Sequence, residues 1–170
     1  MDIAFTPIGV IHSKFNDPQT GGRQPTVDGR EGSIVIREEL CQGLEGLGEF
    51  SHIIAIYFFH RQTEVRLKAC PCFDPLHEHG IFASRYPTRP NRIGISIWTL
   101  QRIKDNVLHC PDIDVLDGTP LLDIKPYVKQ FDHRENAKCG WYDLLDWQSV
   151  HDEAVAQNTV RTLGPTKLIY

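Results

Sequence analysis

The feature that most constrains this chain is its run of short β-prone segments with almost no helix between them. The clearest is Ser51 to His60, SHIIAIYFFH, rich in β-branched and aromatic residues and too short for a typical buried helix. Six further runs read the same way: Phe5 to Ser13, Ser33 to Ile36, Ile93 to Ile103, Val107 to Cys110, Ile113 to Leu116, and Leu121 to Tyr127, which Pro126 stops. Asp105-Asn106 is placed to join two of them as a hairpin, and Asp117-Gly118-Thr119-Pro120 reads as a turn. About seven short strands predict a mainly β fold, an antiparallel barrel or sandwich. A doubly wound α/β fold needs helices between its strands, and no G-x-G-x-x-G turn follows a strand here.

Between the strands, Lys14 to Gly32 is a long Gly/Pro-rich loop carrying Arg23-Gln24-Pro25. Arg37 to Leu47, with Leu40, Leu44 and Leu47, reads as a short helix or turn, and Arg61 to His79 is irregular. After Phe131 the character changes to a charged stretch, and Trp141 to Gln157 has helical spacing of Trp147, Val150 and Ala154. The expected division is a β domain over residues 1–131 and a C-terminal extension, a small helical tail, over residues 132–170. The net charge of −4 excludes a generally basic nucleic-acid binder and leaves only a local patch for such contacts. The longest apolar run, Ile53 to Phe59, is far below the roughly 20 residues of a membrane helix, so no membrane association is expected. No positively charged leader opens the chain, and the odd count of five cysteines predicts reduced thiols and a cytoplasmic protein.

The most distinctive stretch is Gly80 to Ser96, GIFASRYPTRPNRIGIS. It reads as a strand, then an elbow with three arginines and two prolines, then a strand again. Proline fixes the backbone and biases the residue before it, so Arg85, Arg89 and Arg92 sit on a stiff cationic turn. Cys70, Cys72, His77 and His79 are metal-ligand types, but their C-x-C and H-x-H spacing lacks a C-x-x-C, and no metal is predicted. Asp117 reads as a turn former. On an alternating strand, Asp114 shares a face with Asp112, opposite Ile113 and Val115, where a carboxylate can accept hydrogen bonds from a ligand. His60 ends the most apolar strand and is the candidate general base.

These blocks resemble the TsaA-like family of S-adenosylmethionine-dependent tRNA methyltransferases. GIFASRYPTRPNRIGIS is similar to the family's G-V-F-A-T-R-S-x-x-R-P-N-P-I-G-[LM]-S, and TPIGVIHS to Q-I-G-V-I-x-S. Arg23-Gln24-Pro25 matches R-Q-P, LGEFSHIIAIYFFHRQ resembles the F-S-H…F-H block, and DVLDGTPLLDIKPYV resembles D-L-V-D-G-T-P-V-V-D-I-K-P-Y-L. The resemblance implies a β-barrel, a homodimer, and S-adenosylmethionine as cofactor. The implied reaction is methylation of tRNA at N6 of threonylcarbamoyladenosine beside the anticodon. Block by block, it places Pro25, Thr26, Val27, His60, Arg61, Arg85, Ile95, Pro111, Asp112, Ile113 and Asp114 at the cofactor, and leaves Arg89 and Arg92 for RNA phosphates. Two alternatives remain: a non-catalytic S-adenosylmethionine-binding module, or a methyltransferase for another RNA or a small molecule. Arg92 stands where the motif has proline, Arg61 where it has glutamine, and the long C-terminal domain of well-known members has no counterpart here.

Overall fold

The computed structural model describes residues 3–17, 30–150 and 152. Its strands are β1 (Gly9–His12), β2 (Arg30–Ile36), β3 (His52–Phe58), β4 (Lys68–Ala69), β5 (His79–Gly80), β6 (Ile93–Thr99), β7 (Arg102–Lys104), β8 (Val107–Ile113) and β9 (Thr119–Pro126). Seven of them pair antiparallel in one sheet of order β6-β3-β9-β1-β2-β8-β7, and β4 pairs with β5 as a separate ribbon. Helix among the described residues is confined to short pieces: 3-10 turns such as Glu38–Leu44, one α turn, α1 (Lys129–Asp132), and the helical residues 147–150. The fold is mainly β, as the sequence predicts; where one helix is expected from Trp141 to Gln157, Gly140–Leu144 is a 3-10 turn and residues 147–150 are helical, while residues 151 and 153–157 lie outside the described residues.

β3 alternates as a half-buried strand should, with Ile53, Ala55 and Tyr57 inside and Ile54, Ile56 and Phe58 on the outer face. β6 inverts the obvious reading of its isoleucines. Gly94, Ser96 and Trp98 face inward, while Ile93, Ile95 and Ile97 remain 37%, 51% and 44% exposed. Two packing facts fix this parity. The Trp98 ring stacks on Tyr57 at 5.8 Å and 10°, and Gly94 leaves room for the Tyr57 ring, since a Cβ there would stand 2.1 Å from it. Around this pair the core is filled by Ile11, Ile34, Leu108, Ile113 and Leu121, each stabilising the fold by about 1.5–3 kcal/mol through burial.

The closed barrel implied by the resemblance is not formed. β6 and β7 end the sheet order, and no backbone ladder joins them among the described residues. They are, however, consecutive in the chain. The expected single strand Ile93 to Ile103 breaks at Leu100-Gln101, where Leu100 N–H still bonds Ser51 O and Gln101 N–H already bonds His109 O. The sheet is therefore curled, with β6 lying against β8. The expected strand Val107–Cys110 runs on to Ile113 as β8, which carries a bulge, while Asp114 to Leu116, expected as strand, lie beyond it and only Leu116 makes an isolated bridge, to Phe15. Gly32 pairs with Cys110 and Arg30 with Ile113, so Pro111 and Asp112 together oppose one residue of β2. Proline has no N–H to give, and a bulge is where an inner strand tolerates it. In place of a ladder, side chains cross the seam. Thr99 N–H and Oγ1–H donate to the Asp112 carboxylate at 3.0 and 2.9 Å. Trp98 Nε1–H and Ser96 Oγ–H donate to Asp114 at 2.9 and 3.1 Å.

Two other boundaries differ. Phe5 to Ser13 shortens to Gly9–His12. Ile81 to Ala83, expected as a strand, is a 3-10 turn closed by Ser84 N–H and Oγ–H on Ile81 O.

The seam carries a stability prediction. Asp114→Ala leaves the Trp98 and Ser96 donors buried without an acceptor and is expected to destabilise by about 2–4 kcal/mol. Asp114→Asn, which keeps one carbonyl oxygen, is expected to cost less than half as much. Denaturant titration of the two variants checks the order.

Candidate functional site

Antiparallel register decides which residues meet. Phe58 lies opposite Ile93, Tyr57 opposite Leu121, Ile11 opposite Thr119 and Arg30 opposite Ile113. The exits of β3 and β8 and the entries of β2, β6 and β9 therefore share one end of the sheet. His60 and Arg61 leave β3 there, the elbow of Arg85, Arg89 and Arg92 leads into β6, Pro111 to Ile113 close β8, and Asp114 follows it. Pro25, Thr26 and Val27 lie outside the described residues.

His60 Nδ1 stands 3.5 Å from Thr119 Oγ1, whose own proton goes to Leu116 O at 2.7 Å. Only oxygen lone pairs then face Nδ1, which favours the proton on that nitrogen and leaves Nε2 as the basic one. Burial and the Arg61 cation lower the His60 pKa, with Asp117 pulling weakly the other way. The imidazole is therefore neutral at pH 7 and able to accept a proton. Thr119, which sits at the start of β9, was not singled out in the sequence; its place in the DGTP turn beside a strand entry was the available signal. Asp117 acts as the expected turn former: burial opposes its ionisation, but Ser13 N–H and His12 outweigh that and hold its pKa below the usual value.

The elbow is built by its own arginines. Arg89 Nη1 donates to Ile81 O and Ser84 O at 2.8 and 2.7 Å, and its guanidinium lies 5.8 Å from the Phe82 ring. Arg92 Nη1 donates to Gln62 O at 2.8 Å and covers the Phe58 ring at 4.8 Å. Both residues expected to await RNA phosphates thus brace the loop, with one guanidinium nitrogen each given to backbone carbonyls. Arg85 is exposed and close enough to Tyr57 to lower its pKa, against the larger upward push of burial and Asp114. Thr88 Oγ1, in the same loop, is buried with no hydrogen-bond partner among the described residues.

The remaining candidates divide by task. Asp112 and Asp114 spend carboxylate oxygens on β6, and Ile113 points into the core. Ile95 faces outward from β6. In the Cys70–His79 region Asp74 bridges His77 Nδ1 at 2.7 Å and His79 Nε2 at 2.8 Å, and no disulfide joins the five cysteines. Cys110 is inert, its thiol pushed up to about 12 by burial.

Residues 10–133 match the family model of the tRNA-methyltransferase O N-terminal domain. A Pyrococcus abyssi protein named a probable S-adenosyl-L-methionine-binding protein is 48% identical over 83% of this chain and 77% of its own length. The mouse tRNA (adenine(37)-N6)-methyltransferase is 33% identical over 76% of this chain, which spans only 32% of that enzyme. The crystal structure of TrmO from Pseudomonas aeruginosa superposes with a TM-score of 0.69 at 34% identity, covering 84% of this chain and 62% of that one.

Arg92 supplies the test of the elbow. Its φ of 52° is left-handed, and its N–H bonds Arg89 O at 3.1 Å. Proline, locked near −65° and without the N–H, fits neither. Arg92→Pro is expected to destabilise by more than about 1 kcal/mol, seen as a lowered Tm. An unchanged Tm would show that the loop does not hold this conformation.

Proposed function

Because the chain belongs to the family of the tRNA-methyltransferase O N-terminal domain, we propose that it is an S-adenosylmethionine-dependent methyltransferase that modifies tRNA. Its acceptor in this reading is N6 of the adenosine at position 37 beside the anticodon, carrying a threonylcarbamoyl group. The observation that carries the proposal is the convergence of His60, Arg61, Arg85 and the Pro111–Asp114 segment, which includes the bulge, at one end of the sheet. Acting on tRNA, the protein would work in the cytoplasm; no helix among the described residues is long and apolar enough to cross a membrane.

The polar groups at this end fit the cofactor's chemistry. Arg85 offers a planar set of donors to its carboxylate or hydroxyls, the unpartnered Thr88 hydroxyl offers a further hydrogen bond, and the bulge leaves backbone groups outside the ladder. S-Adenosylmethionine, when bound, supplies an electrophilic methyl on a sulfonium. The chain's task is to hold the acceptor nitrogen in line with it, so positioning carries much of the rate. His60, neutral at pH 7, would take the acceptor's proton at Nε2. The acidity at the bulge would offset cationic charge, and the outer nitrogens of Arg89 and Arg92 would meet phosphates. An anticodon-loop adenine is already single-stranded, so drawing it in costs less than from a duplex.

The exposed isoleucine stripe of β6 continues onto Ile54, Ile56 and Phe58 of β3 and stops at the Lys125–Asp123 ion pair. Such an apolar face on an edge strand is a self-association surface. It supports a homodimer with the cofactor beside Ile95, near the interface. Ile95→Lys is expected to shift the protein toward monomer in sedimentation; an unchanged dimer would locate the interface elsewhere.

A second reading, cofactor binding without transfer, is favoured by the name of the Pyrococcus abyssi relative. Turnover separates the two. Purified protein, S-adenosylmethionine and tRNA bearing threonylcarbamoyladenosine are expected to yield the N6-methylated nucleoside by mass spectrometry. His60 makes the rate pH-dependent. With its pKa lowered below 6.5, kcat/KM should rise with pH only at the acid end and be flat from about pH 7 to 8.5. A tenfold rise per pH unit across that range would exclude His60 as the base. Cofactor binding with no methylated product would favour the second reading.

A further inference from the structure

A chain of net charge −4 meets nucleic acid only through a local basic patch. Such a patch lies beside the elbow, in a segment that none of the motif blocks includes. Residues 65–68, Val-Arg-Leu-Lys, are exposed along their whole length, Leu67 at 68%. Their backbone is nonetheless tied to the elbow. Arg66 N–H donates to Thr88 O and Ile81 N–H donates to Leu67 O, each at 2.9 Å, and Lys68 pairs with Gly80 where β4 meets β5. Phe82 completes the surface. Ile81 is buried, and the next residue of its 3-10 turn is carried outward, so the Phe82 ring is 76% exposed. Arg89 holds that turn through Ile81 O and Ser84 O, with its guanidinium 5.8 Å from the Phe82 ring.

Exposed apolar side chains grouped on a fixed surface mark a contact. The charges set among them decide its kind. The core of a protein–protein interface is depleted in charged residues, lysine among them. Here Val65 and Leu67 alternate with Arg66 and Lys68, and the Phe82 ring lies beside Arg89. Single-stranded RNA engages surfaces of this composition: bases stack on exposed rings, and cations take the phosphates. Arg66 Nε donates to Glu64 at 2.8 Å, but both side chains are more than half exposed, and a phosphate can displace the carboxylate from so weak a pair. Lys68 has no ion-pair partner among the described residues. We propose that residues 65–68 and Phe82 form a docking surface for single-stranded RNA, with a base on the Phe82 ring and phosphates on Arg66 and Lys68. That the RNA is an anticodon loop rests on the proposed function. The elbow that carries this ring also carries Arg85, so the stacked base is a neighbour of the acceptor adenine in the loop. The surface serves RNA affinity and not the chemical step.

The test is fluorescence anisotropy of a fluorescein-labelled RNA anticodon stem-loop with the full-length protein across a range of salt. Wild type is compared with Phe82→Ala, Phe82→Trp and Lys68→Ala, all at exposed positions. Phe82→Ala is expected to weaken binding at least about fivefold, the loss of one stacked base, with its salt dependence unchanged, and Phe82→Trp to restore it. Lys68→Ala is expected to weaken binding and to make the slope of log affinity against log salt shallower by about 0.7. S-Adenosylmethionine affinity should stay at the wild-type value in all three. Wild-type RNA affinity in both Phe82→Ala and Lys68→Ala would overturn the inference, as would a wild type that binds no RNA. A parallel loss of cofactor affinity would also overturn it, because the substitutions would then act through the elbow. So would a smaller sedimenting species in Phe82→Ala, which would make the surface a contact between copies of this chain. The two readings fail separately. Weakened RNA binding in the variants, with no methylated nucleoside from the wild type, removes the proposed function and leaves this surface standing; methylation with unaffected variants does the reverse.

Discussion

Two carboxylates hold this fold's ends together. Seven strands curl until β6 lies against β8, and at that seam no ladder runs; Asp112 and Asp114 accept instead from Thr99, Trp98 and Ser96. Tyr57 joins the chain, because the Ser96 proton goes to Asp114 and the Tyr57 hydroxyl, 3.0 Å from Ser96 Oγ, must supply the next one. A buried network of this kind is stabilising only when every member is satisfied. Here it also aligns the strands that carry the candidate site, since Asp112 lies in the bulge, Asp114 follows the end of β8, and Ile95 is one residue from Ser96. Stability and site geometry therefore depend on the same few groups.

How much of this could be read in the sequence follows from what each signal depends on. The strand-rich class was legible because SHIIAIYFFH and LLDIKPY carry their β preference locally. The facing of β6 was not. Alternation in IGISIWT puts three isoleucines on one side, and the pattern alone would bury them. Trp98 stacking on Tyr57, and the space Gly94 makes for that ring, are long-range facts that win. The continuation of β8 through Pro111 to Ile113 was hidden for a similar reason: Pro111 reads as a breaker, whereas the partner strand accommodates it as a bulge.

The candidate site shows the same division. His60, Arg85 and the Asp112–Asp114 pair stood out by type and by resemblance, and register brings them to one end of the sheet. Sequence could not say that the two carboxylates face β6, nor that Arg89 and Arg92 spend donors on their own loop. It gave no sign that Trp141, far along the chain, would bond Ala83 O and stack on His79, because ring stacking between distant segments leaves no periodic trace. A cationic loop that is rigid before it meets its ligand loses less entropy on binding, and Arg89, Arg92 and two prolines achieve that here by different means.

The central claim is that one end of the sheet, and not the other, binds S-adenosylmethionine. Backbone amide chemical shifts recorded during a titration with the cofactor test it most directly. The account predicts perturbations at Arg61, Arg85, Ile95, Asp112 and Asp114, with Gly9, His52 and Asn106 at the opposite end unmoved. Perturbations concentrated at that opposite end, or none at saturating cofactor, would contradict it.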